Sequence, residues 1–271
     1  MPGSFGEFER AGWEDASLCA HYHHNLAAIT HQSIEALLDA AGVGKGSQVL
    51  DVATGAGYIA AAAARRGAVA TGVDFSARQI RMAREQYPAL RFEQADAQSL
   101  PFPDGSFDAV VNGFGTCHLP DPDRALKEAH RVLKSGGRIA FTVWDVPERA
   151  VGFGAAYAAI NTFGSMQVGL PAGPNFFLFS DPEVSRRALN TAGFVEASLI
   201  RVPQIWRVAD ADAVFEVLDQ GTVRAAATLR AQTPAARAAI RQALHETIST
   251  YRSGQGYDVP MPAALSFARK E

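Results

Sequence analysis

Residues 49 to 57 read VLDVATGAG: a short apolar run with a carboxylate, Asp51, inside it, followed by a loop with two glycines, Gly55 and Gly57. Gly55, Gly57 and Ala60 satisfy the spacing G-x-G-x-x-G/A. Such glycines let backbone approach a nucleotide closely, and the N-terminus of the helix beyond them favours a negative group. The spacing alone is a weak signal. Two more acids strengthen it, because Asp74 closes the run AVATGVD and Asp96 closes LRFEQAD. A carboxylate at the end of the second run can accept from two ribose hydroxyls, each charge-assisted bond contributing roughly 1.5–3 kcal/mol.

Asp51 separates two cofactor classes that share this loop. A carboxylate inside the first run is unfavourable beside the pyrophosphate of a nicotinamide dinucleotide and favourable beside an ammonium group. S-adenosylmethionine carries an α-ammonium and a sulfonium and has no phosphate. Asp96 would then accept from the adenine amino group. The competing reading, an NAD-dependent oxidoreductase, shares the glycines, but the sequence shows no recognisable catalytic Tyr–Lys pair and that reading leaves Asp51 unexplained.

The elements that must position these residues alternate. Strand patterns at 48–53, 68–74, 90–96, 107–114 and 138–144 are separated by helix patterns at 58–67, 76–88 and 122–137, the last ended by Gly136–Gly137. Regular β–α alternation predicts a doubly wound, mostly parallel sheet with the ligand at the carboxyl ends of the strands. Before it, residues 16–41 read as one or two helices. After Trp144 the rhythm breaks: 146–180 is rich in Gly, Phe and Tyr, 181–194 reads as a helix, 195–208 as a strand, 210–252 as mostly helical and 259–270 as a last strand.

Composition narrows the partners. The 271 residues carry a formal net charge of -3, which gives no basic footprint for nucleic acid. The two cysteines, Cys19 and Cys117, lack CxxC spacing, which argues against a disulfide framework or a cysteine zinc site and fits a reducing cytoplasm. The acidic start MPGSFGEFERAGWED lacks the apolar region of a signal peptide, and no run reaches the length of a membrane span.

Four stretches in order, VLDVATGAG, GVDFS, ADAQSLPFPDGSFDAVV and EAHRVLKSGGRIAFTVW, resemble the class I S-adenosylmethionine-dependent methyltransferases, in the small-molecule branch that includes ubiquinone and menaquinone biosynthesis enzymes. The resemblance is dense over 48–145 and looser beyond. It implies a Rossmann-like sheet of seven strands with the last antiparallel. It also implies that Asp51, Ala53, Gly55 and Gly57 surround the methionine part of the cofactor, that Asp74 holds the ribose with Ser76 beside it and Phe75 against the adenine, and that Asp96 and Ala97 read the adenine edge. Asn112 and Gly113 would meet the methionine end. Ala53 stands where the family has its first loop glycine.

The resemblance also implies parts outside the core. An N-terminal helical lid (1–45) would bring Tyr22 or Trp13 over the cofactor. The core would be 46–145, with 181–208 and 257–271 completing the sheet. A lid insertion (146–180) and a helical cap (209–256) would enclose a small apolar or aromatic methyl acceptor. His118, in GTCHLPDP after the fourth strand, is placed to deprotonate an acceptor hydroxyl. The histidines of HYHHN (21–25) invite a metal, but no carboxylate or cysteine pattern completes a site, so no metal is expected. The protein is expected to be a monomer or homodimer. A protein that binds S-adenosylmethionine without methylating remains an alternative, because fold does not fix chemistry.

Overall fold

The computed structural model describes residues 3–271. Two compact units share the chain, one formed by 30–144, 173–202 and 263–271, the other by the residues through Ile29, 145–172 and 203–262.

The first unit holds a seven-stranded sheet. Its strands are β1 (Gln48–Val52), β2 (Val69–Asp74), β3 (Arg91–Gln94), β4 (Phe107–Gly113), β5 (Leu133–Trp144), β6 (Val195–Val202) and β7 (Ala263–Arg269), in the order β3-β2-β1-β4-β5-β7-β6. The first five run parallel, and β7 is antiparallel to both β5 and β6, as the resemblance implies. Around the sheet lie α1 (Ile34–Ala40), α2 (Tyr58–Arg65), α3 (Ala77–Gln86), α4 (Pro122–Val132) and α5 (Pro182–Thr191). Strand order reverses beside β1, whose two neighbours are β2 and β4, so the crevice for a ligand opens at the carboxyl ends of these three. The core beneath is built from Leu50, Val52, Val110, Phe141 and Val143 with Leu126 and Leu189 of the helices.

Three boundaries differ from the sequence pattern, each for a local reason. The helix expected over 122–137 ends at Val132, and the chain is extended from Leu133. Gly105 and Ser106 donate to the carbonyls of Arg131 and Val132, and the Lys270 ammonium caps those of His130 and Leu133 at 2.7 Å each. Those bonds satisfy the helix end before the glycines are reached. The strand expected over 195–208 is two strands, Val195–Val202 and Ile205–Val208, because Pro203 between them has no N–H to donate. Pro262 divides the expected 259–270 strand in the same way, into Gly256–Pro260 and β7.

The second unit is helical with a small antiparallel sheet, in which Gly256–Pro260 lies between Ile205–Val208 and Arg252–Ser253. Its helices are Phe5–Glu14, Ala16–Asn25, Val151–Phe163, Asp212–Gly221, Arg224–Arg230 and Pro234–Ser249. The first precedes the helix pattern of 16–41 and lies inside the segment expected to be helical, 1–45. It starts at a capping box, in which Ser4 accepts from the Glu7 amide and Glu7 accepts from that of Ser4. Gly221 lets its helix approach the segment of Tyr22, where a side chain would meet the Tyr22 amide at 3.2 Å. No helix among the described residues is long and apolar enough to cross a membrane.

Candidate cofactor site

Asp51 sits one residue before the end of β1 and is fully buried. One carboxylate oxygen accepts from the Thr54 hydroxyl at 2.6 Å and from the Ala60 amide at 3.0 Å; the other has no hydrogen-bond partner. Burial disfavours the charged form and pushes the Asp51 carboxyl up to about 7. The Thr54 and Ala60 bonds pull it back down, and the nearby Asp74 charge adds to the rise. A buried carboxylate with an open valence is a place for a cation.

The loop beyond turns through the left-handed region, with φ 55° at Ala53, 54° at Gly55 and 85° at Gly57. The two glycines have different reasons to lack a side chain. At Gly57 a Cβ would strike Phe92 at 2.7 Å, so that glycine serves packing. At Gly55 a Cβ would meet nothing nearer than the Gln79 side chain at 3.9 Å. Gly55 therefore leaves the backbone open to a ligand.

Asp74 ends β2 and is buried. One oxygen accepts from the Gly55 amide at 3.0 Å and the other from the Ser76 amide at 2.9 Å, so this carboxylate ties the β1 loop to the start of α3. Ser76 is fully buried and caps that helix by accepting from the Gln79 amide. Half-buried Phe75 lies between them, its carbonyl held by Gln94 at 2.9 Å. Asp96 is exposed and folds onto its own turn, accepting from the Gln98 amide at 2.8 Å and the Gln98 side chain at 3.0 Å; Ala97 beside it is buried.

Across β1, the Asn112 side chain spans two loops. Its amide nitrogen donates to the Val52 carbonyl at 2.8 Å, and its oxygen accepts from the Gly115 amide at 2.9 Å. Gly113 must be small because a Cβ would lie 2.4 Å from Ile59. Phe114 follows with φ 58°, its ring 4.4 Å from that of Trp144. The one-turn helix Thr116–His118 comes next, and the half-buried His118 ring meets Phe176 edge-on at 6.5 Å.

Asp51, Ala53, Gly55, Asp74, Ser76, Asn112 and Gly113 thus sit at three adjacent strand ends joined by hydrogen bonds and close packing. Residues 50–141, which contain all of them, match the family described as the methyltransferase domain. Over that stretch the chain is similar to a methyltransferase domain. Demethylmenaquinone methyltransferase of Chlorobaculum parvum is 45% identical to it over 91 residues, 33% of this chain and 38% of that protein. The protein of the same name from Thermus thermophilus is 40% identical over 116 residues, 41% of this chain and 52% of its own. The chain spans about half, or less, of the curated relatives it matches. In fold, it resembles a Haemonchus contortus phosphoethanolamine N-methyltransferase solved with phosphomonomethylethanolamine and S-adenosylhomocysteine. That likeness has a TM-score of 0.60 at 18% identity and covers 100% of this chain and 61% of that one.

The unit that holds the seven-stranded sheet also has groups that sequence reasoning passed over. Thr54 and the Ala60 amide orient Asp51; a hydroxyl three residues after an acid was the available signal for the first. Thr116 and Thr142 bury hydroxyls without partners, and nothing in their spacing announced it. Thr116 also lines a small cavity with Cys117, Phe176 and Phe179. Tyr22 belongs to the other unit, in edge contact with the rings of Trp13 at 5.1 Å and His23 at 5.3 Å. In that unit Asp210, Asp212 and His245 cluster, none of them from HYHHN. Arg241 pairs with Asp212 at 3.4 Å and meets the negative charge there.

Proposed function

We propose that the protein transfers a methyl group from S-adenosylmethionine to a small apolar or aromatic molecule. The observation that carries this reading is the open oxygen of buried Asp51 behind the Gly55 loop. An ammonium satisfies that oxygen and a pyrophosphate does not. The residues fit the cofactor in two further respects: Gly55 leaves room for close approach, and Asp74 stands at the end of the neighbouring strand for a ribose. When bound, the cofactor supplies a sulfonium-linked methyl group open to in-line displacement.

The chain's own residues then bind and orient. Asp51 holds the ammonium, and Asp74 receives the ribose hydroxyls while its hydrogen bonds keep the Gly55 and Ser76 amides in place. Phe75 lies against the adenine, with Asp96 and Ala97 at its edge. Asn112 and Gly113 shape the methionine end. His118 takes the proton from an acceptor hydroxyl. Positioning supplies most of the rate, roughly 7–11 kcal/mol for well-oriented reactants, so a strong base is not required.

The segments 1–45 and 146–180 act as lids, and 209–256 forms the acceptor cap. The quinone in the relatives' names supports an apolar ring system as acceptor. The two cysteines, both buried and free, fit a protein of the reducing cytoplasm, monomeric or homodimeric. The test is calorimetric titration with S-adenosylmethionine, S-adenosylhomocysteine and NAD in parallel. Micromolar binding of the first two without the third is expected. NAD binding alone overturns the reading. Binding without turnover against quinone and other aromatic acceptors leaves the non-methylating alternative standing.

A further inference from the structure

Two residues other than glycine adopt left-handed backbone in neighbouring loops of the cradle, Ala53 with φ 55° after β1 and Phe114 with φ 58° after β4. Such conformations are unfavourable for residues with a Cβ and persist where surrounding contacts fix them, most often at functional sites. Here the contacts interlock. A Cβ on Gly115 would lie 2.5 Å from the Ala53 methyl carbon and 2.7 Å from the Asn112 amide nitrogen, so the methyl occupies the space of a missing side chain. Asn112 bonds to the Val52 carbonyl on one side and the Gly115 amide on the other. The Gly115 carbonyl in turn accepts from the His118 amide at 3.1 Å, and the Phe114 carbonyl accepts from the Cys117 thiol at 3.3 Å.

We infer that Ala53 is a positioning residue: its methyl group wedges the cofactor loop against the Gly115 turn, so that a ligand settling in the 53–57 loop sets the place of Thr116–His118. A glycine at 53 would relax the left-handed strain and remove the wedge together. The Asn112 clamp would remain, but the turn could then shift without displacing the loop. This inference rests on the cofactor reading only for the identity of the ligand that presses on the loop.

The test has two parts. The first is a thermal double-mutant cycle on the unliganded protein. Gly115→Ala should lower Tm by about 5 °C or more, and Ala53→Gly should recover at least half of that loss. The Asn112 contact accounts for the remainder. Equal losses in both backgrounds would mean that the two positions do not touch energetically and would overturn the wedge.

The second part follows the His118 ring by NMR, assigned by its disappearance in His118→Gln, during titration with S-adenosylhomocysteine. In the native protein the His118 signals should move as the cofactor loop fills. In Ala53→Gly at saturation that shift should fall to less than half. Equal shifts in the two proteins overturn the coupling, whereas failure of the native protein to bind the probe at all removes the cofactor reading and leaves the thermal cycle to judge the wedge.

Discussion

Asp51 and Asp96 occupy matching places in the sequence pattern, each an acid at the close of a strand, yet the molecule treats them oppositely. Asp51 belongs to β1, between β2 and β4, and is sealed from water with one oxygen unpartnered. Asp96 follows β3, the edge of the sheet, and is exposed with its carboxylate folded onto Gln98. The difference comes from position in the sheet. A central strand buries whatever it carries, so an acid there keeps an open valence at the expense of stability unless a ligand completes it. An edge acid has water and its own turn. Dependence on a ligand should therefore fall from the centre of the sheet to its edge, with Asp74 drawing on both a buried setting and two existing bonds.

Asp74→Ala is the largest expected break in that ordering. It removes the ribose acceptor together with the bonds from Gly55 and Ser76 that shape the loop. Loss of two charge-assisted bonds implies a fall in S-adenosylmethionine affinity on the order of 10²- to 10⁴-fold by calorimetry, with a lower Tm. Unchanged affinity would remove Asp74 from the site.

Asp51→Asn separates ligand work from stability. Affinity for S-adenosylmethionine should drop on the order of 10- to 100-fold, while Tm at pH 8 should hold or rise, because a buried charge without a full set of partners is gone. A drop in both affinity and Tm would make Asp51 a structural residue. The pH dependence has a definite sign. The folded-state value near 7 lies above the ordinary carboxylate value of 3.8, so the folded protein binds the extra proton between them. Asp51 therefore contributes stability that is fully present below about pH 4 and lost as pH rises through 7. Subtracting the Asp51→Asn melting curve from the native one at each pH isolates that decline; a flat difference contradicts it. Cofactor affinity should run the other way, rising with pH to about 7 and then levelling, since the ammonium needs the ionised carboxylate.

Much of this contrast is legible in the sequence. The β–α rhythm from Gln48 to Trp144 carried the parallel order, because period and turn residues there agree with the tertiary arrangement. Asp51, Gly55 and Asp74 announced themselves by spacing. What was hidden depends on contacts between distant segments. The Lys270 ammonium that ends α4 comes from just beyond the last strand, and no local pattern around Val132 reveals it. The reasons for Gly57 and Gly115 lie in Phe92 and Ala53 across loops. The proline breaks at 203 and 262 were visible as residues, but the second sheet that uses both broken ends is a matter of pairing over roughly 50 positions, which spacing does not encode.

The smallest effect is expected at the edge. Asp96→Ala leaves the Gln98 amide to water, which costs little on an exposed turn, so Tm should move by no more than about 2 °C. Its adenine contact would be a single bond in reach of solvent, where a competing water takes up most of the loss. Calorimetry should show S-adenosylmethionine affinity lowered by less than about 10-fold. Asp96→Asn, which keeps an acceptor oxygen, should recover part of it. If Asp96→Ala instead cost as much affinity as Asp74→Ala, solvent exposure in the unliganded chain would not measure dependence on the ligand. Ordering of the 96–99 turn around adenine would then have to create the buried setting that Asp51 already possesses.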